Sequence, residues 1–223
     1  MAGSKRTRLS PEQRRAQLIE LGMDLLARKP IEEISVEDIA DEAGVSKGLL
    51  FHYFGSKLEF QAALVRNAGE QLVAATAPDL SLAPVDALRG SLNRYIDFVE
   101  QAPNLYVSML RGALSDVPGM SGAVEKSRGQ IAGRILTIMP ALGIEHSPLL
   151  DFAVRGWIAL VEETVIRWLH ERTVNREEIL ELLTGALPGV VLAPMLGSHE
   201  VLEQFFPGFS GAMEPPVPDA AAG

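Results

Sequence analysis

Cysteine is missing from this chain, so disulfide bonds and thiolate chemistry are excluded and a reducing compartment is sufficient. Also missing is any apolar run near the roughly 18 residues needed to cross a bilayer, and the basic start lacks the apolar stretch of a signal peptide. The expected location is therefore the cytoplasm. His52, His146, His170 and His199 have no spacing that puts two on one helix face, which argues against a histidine-built zinc site. His199, Glu200 and Glu203 are read as an exposed polar turn. No nucleophile motif, glycine-rich phosphate loop or paired-carboxylate pattern is present, so neither an enzyme nor a cofactor is expected. Strand-like alternation and internal repeats are absent too. What remains is helix after helix, in 223 residues with 47% hydrophobic content, enough for a sizeable core.

The net charge of −9 is unevenly spread: residues 1–65 carry −1 and the remainder −8. Within the first part, Lys5, Arg6, Arg8, Arg14 and Arg15 face only Glu12, a local basic patch of the kind that meets phosphates. Residues 1–9 read as a flexible basic arm, either lying against phosphates or a plain mobile terminus. Ser10-Pro11-Glu12-Gln13 then opens a first helix with a capping Ser, Pro at the first helical position and Gln placed to reach back. Leu18, Ile19, Leu21, Leu25 and Leu26 would form its buried stripe, and Pro30 marks its end.

Ser35 to Lys57 reads as a helix-turn-helix. Ser35 caps a short helix whose Glu37 and Asp38 suit the positive helix end, and Val36, Ile39, Ala40 and Ala43 recur at helical spacing. Gly44 supplies the left-handed residue that stops it, and Val45 can plug the angle. Ser46 caps the next helix, which buries Leu50 and either Tyr53 or Phe54. Ser56 and Glu59 then open a longer helix to about Thr76, with Leu58, Ala62, Val65, Gly69 and Leu72 among its repeating positions.

This stretch resembles the DNA-binding segment of the TetR family of bacterial transcriptional regulators. The Ile39-Ala40 pair, the Ala43-Gly44-Val45-Ser46 turn, Gly48, the run from Phe51 to Phe54 and Ser56-Lys57 all fall at family spacing. Three positions depart from it: Pro30 replaces the usual Gly, Leu49 stands where Thr or Ala is common, and Phe51 replaces Tyr. The resemblance implies DNA contacts from Ser35, Ser46, Lys47, Gly48, Leu49, Phe51, His52, Tyr53 and Lys57. Lys47 can donate to a guanine edge, Leu49 can press on a thymine methyl, and His52, Tyr53 and Lys57 match phosphate-contacting positions. Lys47 as a solvated surface residue, and Leu49 and Tyr53 as core residues, are the competing readings. The acidic first helix of the motif, with Glu37, Asp38, Asp41 and Glu42, is expected behind the groove.

Pro78 to Pro84 breaks the chain, and helices are expected at 85–101, from Pro103 through Leu114, at 121–139, at 147–172 and from Asn175 onward. Ser115 to Gly119 reads as a loop, and the first half of the 121–139 helix as water-facing. Apolar positions of the 147–172 helix cover roughly half its circumference, more than the ordinary stripe of about 100°. We therefore expect it and the following helix to serve a partner subunit as well as their own core, with Val161, Val165, Trp168, Ile179, Leu182 and Leu183 at that interface; a large monomer core is the alternative. The resemblance agrees, since family members dimerise through their last two long helices. Tyr95, Phe98, Tyr106, Met109, Phe152 and Trp157 could line an apolar ligand site, with Arg111, Arg155 and Glu162 orienting a polar group, against plain core or ion-paired roles. Pro188 is expected to end regular structure, with Phe205, Phe206 and Phe209 packing as a short extra segment.

The expected architecture is all-α: an arm (1–9), a helix-turn-helix domain (10–68), a helical ligand-binding and dimerisation domain (69–212) and a disordered tail (213–223). The function the resemblance implies is that of a homodimeric regulator, most often a repressor, released from a palindromic DNA operator by a small-molecule effector. A non-specific architectural DNA-binding protein and a helical small-molecule carrier are the rivals.

Overall fold

The computed structural model describes residues 9–111 and 117–192, and they are all helical apart from short connectors. The expected arm at 1–8, Leu114, Phe205, Phe206, Phe209, the His199 turn and the tail lie outside the described residues. Helix α1 spans Pro11–Leu26, and the capping box is complete: Ser10 accepts from the Gln13 backbone while the Gln13 side chain accepts from the Ser10 N–H. A single-turn 3-10 helix at Ile31–Glu33 leads into α2, Val36–Ala43, and α3, Lys47–Phe54. Ser35, Ser46 and Ser56 each accept a backbone N–H at the start of α2, α3 and α4 (Lys57–Ala75). Gly44 has φ of 61°, the left-handed backbone that a helix stop followed at once by a new helix demands.

Among the described residues five further α-helices follow, α5 (Pro84–Gln101), α6 (Pro103–Arg111), α7 (Pro118–Ile138), α8 (Pro148–Glu171) and α9 (Arg176–Leu192), with a short 3-10 helix, Met139–Leu142, directly after α7. Asn175 and Glu178 form a reciprocal cap at the start of α9. Three expectations are corrected here. Helix α7 begins at Pro118, inside the expected loop, and its first half faces protein: Ala123, Val124 and Ser127 are buried. Pro188 does not end α9, which continues to Leu192. In α4 Leu58 is exposed, and the core position in the first turn is taken by Phe60, two residues on, which is fully buried.

Two apolar cores result, and they are not separate. One gathers α1, α2, α3 and the first half of α4, but also takes Leu105 of α6 and Met120, Ala123 and Val124 of α7. The other is built from α5, α7, α8 and α9, with Leu72 of α4 and Tyr106 of α6. Helix α4 therefore runs unbroken through residue 68, with Phe60 and Leu64 in one core and Leu72 in the other. On α6 the adjacent residues Leu105 and Tyr106 divide in the same way.

Close helix crossings depend on glycine. A Cβ at Gly22 would sit 2.7 Å from both Leu64 Cδ2 and Phe60 Cζ, and one at Gly69 would sit 2.3 Å from Ser127 Oγ. Gly22→Val should therefore destabilise the protein by about 1–3 kcal/mol through overpacking, measured by urea unfolding. Gly133→Ala, on α7 with open space where the methyl would go, should instead stabilise by roughly 0.5–1 kcal/mol.

Candidate nucleic-acid interface and apolar cavity

Helices α2 and α3 meet at the Gly44 turn, where the Val45 N–H donates to the Ala40 carbonyl and ties the turn to α2. Leu50 and Phe54 anchor α3 in the core, which settles the choice between Tyr53 and Phe54: Tyr53 is half-buried at its edge. The opposite face of α3 carries Lys47, Gly48, Phe51 and His52, all exposed, with Leu49 half-buried beside them. His52 and Tyr53 pack edge to face, ring centroids 5.4 Å apart. Lys57 is half-buried at the first turn of α4. Ser35 and Ser46 use their hydroxyls as helix caps, accepting from Asp38 N–H at 3.0 Å and Leu49 N–H at 3.2 Å.

The acidity of α2 is largely offset within the fold. Glu37 pairs with Lys47, Asp38 with Lys29 at 2.9 Å and Glu42 with Arg28 at 2.8 Å. Lys47 thus stands tied to α2, and a phosphate or base edge would have to take it from Glu37. The hydrogen bond from Ser35, aided by Lys29, holds the Asp38 carboxyl well below the ordinary carboxylate range.

A cavity of about 390 Å³ opens between α4, α5, α7, α8 and α9, within the size range of small-molecule sites. Its floor is buried and apolar, with Leu72, Leu92, Trp157, Ile158, Val161, Leu187 and Val191. Exposed Leu80, Leu82, Val85 and Leu142 form the open side, on the connector before α5, on α5 itself and on the short helix after α7. Of the residues considered for a ligand, Tyr95, Trp157 and Glu162 line it. The others lie elsewhere, for identifiable reasons. Tyr106 is buried beside Tyr95, its hydroxyl paired with the Tyr95 hydroxyl. Phe98 packs against both cores, and Met109 against the one that holds the helix-turn-helix. Phe152 is 74% exposed on the outer face of α8, while Arg111 pairs with Glu163 and Arg155 with Asp151 on the surface. Ile131, Ile135 and Ile138 of α7 line the cavity as well; their helical spacing marks an apolar stripe, and that stripe faces it.

The polar groups of the wall are mostly committed. Burial pushes both the Tyr95 and Tyr106 phenols up, so both stay protonated. Arg128 grips the Glu162 carboxylate, with Nε–Oε1 at 2.9 Å and Nη2–Oε2 at 2.6 Å, and that pairing raises the guanidinium further. The Trp157 indole N–H donates to the Leu183 carbonyl at 3.1 Å.

The residues assigned to a subunit interface need correction. Val161, Val165, Trp168, Ile179 and Leu183 are buried within the chain itself, because the wide apolar arc of α8 is used to contact α9 and close the cavity floor. Of that set only Leu182 is exposed. The outward apolar stripe of α8 is Leu149, Phe152 and Leu160, which with Gly156 share one helix face. Among the described residues no group of three or more metal-ligating side chains comes together, and no helix is long and apolar enough to cross a membrane.

Comparison with known proteins points the same way as this geometry. The family profile described as "Bacterial regulatory proteins, tetR family" matches residues 18–64, and that described as "Tetracyclin repressor-like, C-terminal domain" matches residues 84–187. The chain is 24% identical over 184 residues to the HTH-type transcriptional activator FasR of Mycolicibacterium smegmatis, spanning 80% of this chain and 84% of FasR. It is 37% identical over 87 residues to the HTH-type transcriptional regulator BetI of Vibrio campbellii, spanning 39% of this chain and 44% of BetI. A tetR-family transcriptional regulator from Streptomyces coelicolor superposes with a TM-score of 0.74 at 29% identity, covering 83% of this chain and 85% of that one.

The depressed Asp38 carboxyl gives a pH test of the α2 cap. A carboxyl lowered in the folded state contributes stability above its unfolded pKa of about 3.9, and that contribution is lost as pH falls through the folded value. The difference in melting temperature between wild type and Asp38→Ala should be full and flat from about pH 7 to pH 5, and should narrow below about pH 4.

Proposed function

The chain belongs to the TetR family and is a DNA-binding transcriptional regulator; from that premise we propose that it is a cytoplasmic, homodimeric repressor, released from a palindromic operator when an apolar ligand fills the cavity between α4 and α9. The observation that carries this reading is the double use of α4. Its Leu72, with Thr76 at its C-terminal cap, lines the cavity, while its Phe60 and Leu64 form the packing surface for α1 behind the helix-turn-helix. A ligand that favours another placement of α4 would move the recognition helix of each subunit, and two such helices must sit about 34–36 Å apart to read one operator. The relatives are transcriptional regulators, and we read this chain as non-enzymatic as well. Activation is the second reading, favoured by the match to FasR along most of the chain.

The two functional units are taken as residues 10–68 and 69–212, with α4 shared between them. Lys47, Gly48, Leu49 and Phe51 face the bases in this reading, and His52, Tyr53 and Lys57 the backbone. Ser35 and Ser46 act by capping the starts of α2 and α3, which fixes how the two helices meet. The dimer forms through the outer stripe of α8, Leu149, Phe152, Gly156 and Leu160, together with Leu182 of α9.

Fluorescence anisotropy with DNA from the gene's own upstream region tests this. Lys47→Ala and Lys57→Ala proteins that remain folded and dimeric should lose operator affinity, each by about 5- to 150-fold, from a lost contact of about 1–3 kcal/mol. Phe152→Arg should yield a folded monomer by light scattering, with the operator affinity lost. Unchanged affinity in both lysine variants would refute the DNA face. A reporter that rises when the gene is deleted supports repression, and one that falls supports activation.

A further inference from the structure

Three hydroxyl-bearing residues of the aliphatic type line the cavity: Thr76, Ser91 and Thr184. Within a helix such a hydroxyl usually returns to the carbonyl one turn back. Thr76 does so, donating to the Leu72 carbonyl at 2.8 Å, and Ser91 donates to the Ala87 carbonyl at 2.9 Å. Thr184 does not. Its Oγ1 is buried and meets no hydrogen-bond partner among the described residues, although the residue itself is only 8% exposed. A buried hydroxyl without a partner is costly and rare in a settled core.

The backbone at the same residue is also short of a partner. The helical donor for the Thr184 carbonyl would be the N–H of residue 188, and residue 188 is Pro, inside α9 and itself part of the cavity wall. Thr184 therefore carries a hydroxyl that can donate and accept, next to a carbonyl deprived of its intrahelical donor. Around it the floor is hydrocarbon: Trp157, Val161, Leu187 and Val191. The charged side chains of this wall are engaged with other groups: Glu162 is neutralised by Arg128, and the Arg134 guanidinium donates to the Val73 carbonyl. Thr184 itself offers a charged group no counter-ion, whereas a neutral oxygen function would meet both needs.

We propose that the effector is a largely hydrocarbon molecule carrying an uncharged oxygen function, an alcohol or a ketone, and that Thr184 is the residue that recognises it. This rests on the reading of the cavity as the effector site. An alcohol fits best, because its O–H can accept from the Thr184 hydroxyl while donating to the Thr184 carbonyl. A hydrocarbon of the same shape fills the same volume but leaves the hydroxyl orphaned.

Displacement of the apolar dye N-phenyl-1-naphthylamine from the full-length protein by menthol, menthone and p-menthane separates the possibilities, since the three probes share a carbon skeleton. Menthol and menthone should displace the dye at about tenfold lower concentration than p-menthane, as one net hydrogen bond of roughly 1.4 kcal/mol requires. Thr184→Val should abolish that advantage while leaving p-menthane unaffected, and Thr184→Ser should keep it. Without ligand, Thr184→Val should melt at the same temperature as wild type or higher, because an unpartnered hydroxyl has been removed. Equal potency of the three probes on wild type, an advantage surviving in Thr184→Val, or a lowered melting temperature in that variant would each overturn the assignment and leave the cavity reading standing. A wild-type protein that takes up neither the dye nor any probe would contradict the cavity reading and the assignment together.

Discussion

The packing of α4 is the constraint on which everything else in this protein depends. Nineteen residues of one helix hold Phe60 and Leu64 against α1, bring Gly69 close against Ser127 of α7, and place Leu72, with Thr76 at the C-terminal cap, in a cavity wall. The Gln61 side chain adds a buried hydrogen bond of 2.9 Å to the Ile31 carbonyl just ahead of the helix-turn-helix. Because interiors are close-packed, a shift of α4 at the cavity end has no slack in which to vanish before it reaches α1. Helix α6 provides a second tie, with Leu105 and Tyr106 in different cores and the helix packed against the 3-10 turn at Ile31–Glu33.

Electrostatics in this protein act locally rather than through the net charge of −9. Three of the four carboxylates of α2 are offset, Asp38 and Glu42 by Lys29 and Arg28 from the connector after α1 and Glu37 by Lys47 of α3, so this part of the surface is less acidic than the sequence of α2 alone implies. Each of these exposed pairs contributes little to stability. The pair with Glu37 holds the Lys47 side chain against α2. In the cavity the opposite holds: Glu162 is nearly enclosed and needs Arg128, and the wall around them offers hydrocarbon.

Much of the fold could be read from the chain because its helix starts are written locally. Ser10, Ser35, Ser46, Ser56, Ser147 and Asn175 each cap a helix within three residues, and Gly44 ends one by its own backbone. What could not be read depends on which face of a helix meets which neighbour. The wide apolar arc of α8 suggested a shared surface, but its inner half is spent on α9 and the cavity, leaving Leu149, Phe152 and Leu160 outside. Aromatic residues drew attention as ligand contacts, yet most of the lining is aliphatic, from Ile131, Ile135 and Ile138 among others. Pro188 looked like a stop; it is instead tolerated within α9 and leaves the Thr184 carbonyl without its helical donor.

The absence of cysteine makes the central claim directly accessible, since one introduced thiol labels each subunit at one place. Asp41 is exposed on α2 and serves for this. Double electron–electron resonance between spin labels on Asp41→Cys in the dimer, recorded before and after menthol at a concentration that fully displaces the dye, reads the spacing of the two helix-turn-helix units. The account predicts a displaced distance distribution on filling the cavity, one that operator DNA reverses. An identical distribution in the filled and unfilled protein would contradict it.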